Sequence, residues 1–407
     1  MQKKIRVLYP ECLEEFKCIG GKCIDTCCSG WGIYIDKNTF EKYKAVKEKD
    51  VQKFITENIN IREKCKNEDV AYGEIKLDKE KKCPFLDADN YCMIQKKFGE
   101  DYLSKVCTTF PRIVNKVDDT YEISLNISCM EAAKTVLLNK NKMKFKSDEK
   151  DQVNYEPQRH MDTKDYTYEY SNERHVAHIN SFSIEIIQDR NSDIYERLYR
   201  LGFSLEYISN KLCYDFKNID NIIGRCRNEI IHIGKARDNM RCMIQISLFK
   251  NILHEIQEED IGLSRRLKNI ISECEEGFMF SDGRSLMEKS HIYMQSYSNV
   301  EEIIVKNYSH MFENYIVNHI FQSLFPFSKN DIMINDYIML SFRFSFIIFL
   351  SVGRYLYNGT RLNEDDILEI MQSLSKETEH SDKFMDKVNN YLRNNDLFNM
   401  KFARTLL

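Results

Sequence analysis

Residues 16–33 read FKCIGGKCIDTCCSGWGI and place four cysteines, Cys18, Cys23, Cys27 and Cys28, within eleven positions as C-x4-C-x3-C-C. Gly20, Gly21, Gly30 and Gly32 let the backbone between them turn tightly around a bound ion or cluster. Four thiols so closely spaced are a ligand pattern, and they predict a segment organised by a metal rather than by a continuous helix or strand. As ordinary buried residues they would behave as small apolar side chains, a reading that this spacing disfavours.

Working outward, residues 83–112 (CPFLDADNYCMIQKKFGEDYLSKVCTTFPR) add Cys83, Cys92 and Cys107, and Cys129 follows in SLNISCMEAAK at 124–134. Thiolates are soft donors that select zinc or iron-sulfur clusters, each usually held by four cysteines. Eight thiols therefore suit two centres, or one centre with the rest around it. Adjacent side chains such as Cys27 and Cys28 diverge and rarely share one tetrahedral zinc. That favours an iron-sulfur centre, of the 4Fe-4S kind, with zinc as the alternative. Ten of the fourteen cysteines lie between Cys12 and Cys129. The six cysteines outside the set of eight, Cys12, Cys65, Cys213, Cys226, Cys242 and Cys274, read as plain thiols, with only a loose grouping of Cys226, His232 and Cys242. Trp31, the single tryptophan, stands three residues after Cys28 and is expected to shield the centre from water.

The expected fold is mainly α: a cysteine-rich metal-binding N-terminal domain with little β (1–140), then an all-α helical C-terminal domain (181–407). A polar linker or surface excursion (141–180) separates them. Residues 120–125 (TYEISL) alternate as an edge or hairpin strand would. From about Asn180 onward apolar residues recur every three and four positions, as in Ile184, Ile187, Ile194, Leu198 and Leu201, which is the helical period. Pro326, in SLFPFSKND, is expected to end one helix before the next begins. The most apolar run, residues 337–352 (YIMLSFRFSFIIFLSV), is shorter than the roughly 20 residues a bilayer span needs and carries Arg343; it reads as a buried helix. A net charge of -4 with both signs interspersed announces no nucleic-acid surface. The N-terminal MQKKIRVLYPECLEEF lacks the apolar run of an export signal, so a cytoplasmic protein is expected, in a compartment where clustered thiols serve metals more often than disulfides.

Three stretches, residues 18–43, 83–112 and 124–134, together with FENYIVNHIFQSLFPF at 312–327, resemble the flagellin lysine N-methylase family, whose wider relatives are putative zinc- or iron-chelating cysteine proteins. The resemblance implies a bacterial enzyme that transfers methyl from S-adenosylmethionine to the ε-amine of surface lysines of flagellin, the filament protein. Such chemistry needs a neutral amine in line with a sulfonium methyl, so the site must deprotonate a lysine whose reference pKa is about 10.4. Asp25, Asp36, Asp87, Asp89, Tyr91 and Tyr102 lie near the motifs as candidates, although each taken singly reads more simply as a surface or packing residue. Arg112, just after a proline, is a candidate grip on the cofactor's carboxylate or a brace for its loop. His175 and His178 share a helical face in a setting that reads as linker.

Two familiar methylase signatures are missing. No glycine-rich strand-to-helix loop of the doubly wound kind occurs. Nor does the C-x3-C-x2-C triplet of radical S-adenosylmethionine enzymes, because Gly30 stands where its third cysteine would fall. The competing reading is a metal-binding or redox-sensing interaction module without methyltransferase activity.

Overall fold

The computed structural model describes residues 4–62, 68–214, 218–228, 239–258, 262–328, 332–380 and 382–407. Cys65 and His232 lie outside them. The chain is mainly helical, and among the described residues its strands are confined to the first 161. Five strands, β1 (Ile5–Pro10), β5 (Arg112–Val117), β6 (Thr120–Leu125), β7 (Phe145–Lys150) and β8 (Arg159–Met161), form one sheet in the order β7-β1-β6-β5-β8. Three shorter strands, β2 (Tyr34–Ile35), β3 (Ile59–Ile61) and β4 (Gly73–Ile75), form a second sheet in the order β2-β4-β3.

The alternating TYEISL run is indeed a hairpin strand, paired antiparallel with β5 across a turn in which Asp118 adopts φ 53. Asp tolerates that left-handed conformation, and here its carboxylate accepts the Thr163 N–H at 2.7 Å. The strand is not at the edge, since β1 joins β6 in parallel on its other side. What the local pattern concealed is the contribution of residues 141–180, whose FKSDEK and RHM segments become β7 and β8. Both take edge positions, where the charged side chains of β7 and the three-residue length of β8 suit strands that have one unpaired side.

The helices that position the site are α1 (Met130–Leu137), α2 (Val176–Ile187), α3 (Ile194–Leu212), α4 (Ser309–Ser323), α5 (Met333–Tyr357), α6 (Glu364–His380) and α7 (Asp382–Asn394). From Val176 onward every regular element among the described residues is helical, as the periodicity requires. The apolar run lies within α5, which is long and apolar enough to cross a membrane yet has 94% of its most apolar window buried inside the protein. Its charges explain that placement. Arg343 pairs with Glu379 at 3.6 Å, and Arg354 with Glu273, Asp366 and Glu369 at 2.6 to 3.2 Å. Gly353 lets the helix Arg265–Gly277 approach closely, because a Cβ there would stand 2.3 Å from Cys274 Sγ.

The break at Pro326 is where the sheet meets the helices. α4 ends at Ser323 with Leu324 left-handed (φ 56), leaving the last carbonyls without helical partners. Ile320 O keeps backbone partners and also accepts from Asn180 Nδ2 at 2.7 Å, while side chains satisfy the last carbonyls: Asn115 Nδ2 donates to Gln322 O at 2.8 Å, and Arg159 to Ser323 O and, beyond the helix, to Phe327 O. Nearer the start of α4 Glu313, 1% exposed, is clamped by Arg197 at 2.6 Å and Arg190 at 2.8 Å. A buried carboxylate is tolerable only when so paired.

Candidate functional site

The cysteine loop folds back on the segment that carries the second group of thiols. Gly20 is left-handed (φ 58) and Gly21 lies under Tyr91, so that a Cβ at 21 would stand 2.7 Å from the ring and 2.3 Å from Asp89 O. No other residue allows that approach. Cys83 N–H donates to Cys28 O at 2.8 Å, fastening the two segments together. Of the acidic and tyrosine candidates, Asp36 caps the helix Lys37–Lys44 through Thr39 N–H at 2.9 Å. Asp87 accepts from Asp89, Tyr91 and Lys96, whose ammonium lowers its carboxyl below the usual range. The Tyr102 carbonyl accepts from Tyr43 at 2.8 Å. These contacts build the loops.

Among the described residues every cysteine is a free thiol. The eight thiols that spacing singles out sort into two neighbourhoods. Cys83, Cys92 and Cys107 each lie within the electrostatic reach of Cys28, around the small core of Ile33, Phe40, Tyr43 and Phe85. Cys129 lies within reach of Cys23 and Cys18, with Cys23 and Cys129 packed against the larger core. Cys27 sits between, hydrogen-bonded to Cys28 and near both Cys107 and Cys129. That bond lowers Cys28 against the pull of burial and drives Cys27 up. Burial pushes Cys107 to about 12 and Cys129 to about 11.

Among the described residues no three Cys, His, Asp or Glu side chains converge tightly enough to hold a single ion. Zinc, with Zn–S of about 2.3 Å, would draw four sulfurs to within roughly 4 Å of one another. A cluster attaches one thiolate to each iron and spaces its ligands more widely. The donor set is soft and drawn from four separate segments. Of the remaining cysteines, Cys12, Cys226, Cys242 and Cys274 are buried and Cys213 is exposed. His175 and His178 meet edge to face at 6.4 Å.

The loop docks on one face of α6. Lys376 pairs with Asp25 at 2.6 Å, and Gln372 donates to Asp25 at 2.7 Å and to Ser128 O at 2.6 Å. Trp31 donates to Cys27 O at 2.6 Å and stacks on His380 at 4.5 Å, between the cysteines and the helix. Burial, with Lys376 adding to it, lowers His380 to about 4, so the ring is neutral where it meets Ser128 Oγ at 2.8 Å. Arg112 stands between the rings of Phe16 and Tyr155, 5.7 Å from each.

Beside this junction lies a cavity of about 510 Å³, bounded by β5, β8 and the helices α4 to α7, with Glu379 in its wall one residue before His380. None of its lining residues was a site candidate in the sequence, where Arg343 stood out only as a charge in an apolar run, because they are single positions spread over distant elements. Glu122 is another: on β6 it faces Asn115 of the cavity wall across the hairpin, and burial raises its carboxyl to about 7.

Comparison with known proteins completes the picture. The FliB lysine N-methylase C-terminal domain matches residues 180–406, more than half of the chain. The flagellar biosynthetic protein FliU of Salmonella muenchen is 36% identical over 136 residues, covering 33% of this chain and 79% of the relative. The lysine-N-methylases of Salmonella typhimurium and Salmonella choleraesuis are each 35% identical over 136 residues, covering 33% of this chain and 33% of the relative. The chain thus aligns with about a third of the length of those two methylases. No solved structure matches. With a domain match across its helical part and a FliU-like relative mostly covered, the chain belongs to the FliB lysine N-methylase family.

Proposed function

We propose that this protein transfers methyl from S-adenosylmethionine to the ε-amine of surface lysines of flagellin, with an iron-sulfur centre held by the clustered cysteines. The observation that carries the reading is the family match running through the helices that pack against the cysteine loop. In the transfer, the amine lone pair forms the new N–C bond and the C–S bond breaks with its electrons going to sulfur. The donor supplies the methyl and the neutral thioether leaving group. The chain's part is to keep the amine unprotonated and in line. Glu122 suits the first task, since a carboxyl titrating near 7 is ionised part of the time and is basic enough to take up a proton. Cys18, Cys23, Cys27, Cys28, Cys83, Cys92, Cys107 and Cys129 would hold the metal centre, whose binding displaces the protons that burial keeps on most of these thiols.

The test is to purify the full chain without oxygen, assay iron and acid-labile sulfide, and incubate it with S-adenosylmethionine and its cognate flagellin. Mass spectrometry should show the flagellin gaining whole methyl units on lysine. No transfer by protein of verified metal content, under reducing conditions, overturns the reading in favour of a redox-sensing module.

A further inference from the structure

We propose that the cavity at the C-terminal end of α4 is the binding site for the methyl donor, which rests on the function proposed above and adds the place where S-adenosylmethionine sits. Its volume of about 510 Å³ falls in the roughly 300–1,000 Å³ range of small-molecule sites. The charges on its wall are balanced: Arg159, Arg343 and Arg393 line it together with Asp336, Glu379 and Asp386, with Arg343 and Glu379 paired at 3.6 Å. An anionic nucleotide or phosphate would meet three carboxylates there. A ligand that carries a carboxylate together with cationic centres finds a partner for each, and S-adenosylmethionine carries an α-carboxylate, an α-ammonium and a sulfonium. His319 does not upset this balance, because burial and Arg343 keep its imidazole neutral.

The polar atoms without partners point the same way. Asn115 is 1% exposed and uses its amide N–H on Gln322 O, yet its Oδ1, like Ser323 Oγ and Asn389 Oδ1, is buried with no hydrogen-bond partner. All three line the cavity. Buried acceptors left unpaired are unfavourable, and a bound molecule offering N–H and O–H groups relieves them. An adenine amine, two ribose hydroxyls and an ammonium supply such donors. Ile113, Met339 and Met385 add an apolar surface suited to a purine face or a thioether.

The position also suits a donor site. Glu379 in the wall and His380 against Trp31 are consecutive on α6, so the cavity and the cysteine loop share one turn of helix. On the sheet, Asn115 is registered between Arg159 on β8 and Glu122 on β6, which puts the candidate proton acceptor one strand from the cavity wall.

The experiment is calorimetric titration of S-adenosylmethionine and S-adenosylhomocysteine into the full-length, anaerobically purified protein and two variants. Asn389→Trp fills the cavity from α7, and Asn115→Leu removes a buried acceptor at similar volume. The expected result is a Kd raised about tenfold or more in each variant, with the iron content and melting temperature of Asn389→Trp unchanged. If Asn115→Leu lowers the melting temperature, Asn389→Trp decides. Wild-type affinity in Asn389→Trp, in a protein that still methylates flagellin, overturns the cavity assignment and leaves the methylase reading standing. A wild-type protein that neither binds the donor nor transfers methyl overturns both.

Discussion

At the scale of single residues, the charge state of buried groups sets the expectations. Glu122 titrates near 7 in the fold and at 4.5 when unfolded, with burial as the cause. Below pH 4.5 both states are protonated and folding is not penalised. As pH rises through 4.5 to 7 the unfolded chain ionises first, so stability is lost across that window and stays lower above it. Glu122→Gln should therefore raise the melting temperature at pH 8, by the equivalent of roughly 1–3 kcal/mol, and leave it unchanged at pH 4. The same variant should slow methyl transfer; full activity would remove Glu122 from the mechanism. Among the thiols, Cys28→Ser should abolish iron retention, because Cys28 neighbours Cys83, Cys92 and Cys107. Cys213→Ser, at an exposed position, should keep the iron and the stability of the native protein. Equal iron loss from both would mean that the grouping of thiols has no bearing on metal.

At the scale of elements, α6 is the connection. One face holds the cysteine loop through Gln372, Lys376 and His380, and its last turn reaches the cavity through Thr378 and Glu379. The Asp25–Lys376 pair is mostly covered, with side chains 18% and 11% exposed, so removing one partner leaves a charge in poor solvent. Lys376→Met is expected to cost roughly 1–3 kcal/mol and to speed amide exchange in residues 18–32, with little change in the helices Leu286–Ile303 and Met400–Leu406. Hydrogen exchange read by mass spectrometry checks this. Uniform protection in residues 18–32 would show that the loop is held by its own turns rather than by the helix.

For the whole molecule, strand pairing ties the first and last parts of the N-terminal region together and then to the helices. β1 is flanked by β6 and β7, and β5 by β6 and β8, so the sheet is complete only after Met161. The larger core runs from Cys12 to Leu407. A cut at residue 150 parts β8 from the β5 strand it pairs with and leaves α4 without the Asn115 side chain that donates to its last turn. Fragments 1–150 and 151–407 should each be insoluble or molten alone, and should recover structure only when co-expressed. A folded, donor-binding 151–407 fragment would show that the helices need no sheet.

What the sequence by itself determined was whatever depends on neighbours along the chain. The 3.6-residue period after Asn180, the helix break at Pro326, the TYEISL strand and the inward placement of 337–352 follow from local pattern, and the short spacings single out the eight thiols that the fold then groups. Tertiary structure decided what depends on partners distant in sequence. FKSDEK and RHM become strands only because β1 and β5 offer them open edges, a pairing that their own propensities do not announce. The separation of Cys28, Cys83, Cys92 and Cys107 from Cys18, Cys23 and Cys129 comes from the loop folding over Gly21 onto Tyr91. The cavity is the extreme case: its charges come from β8, α5, α6 and α7, and their balance exists only where those elements meet.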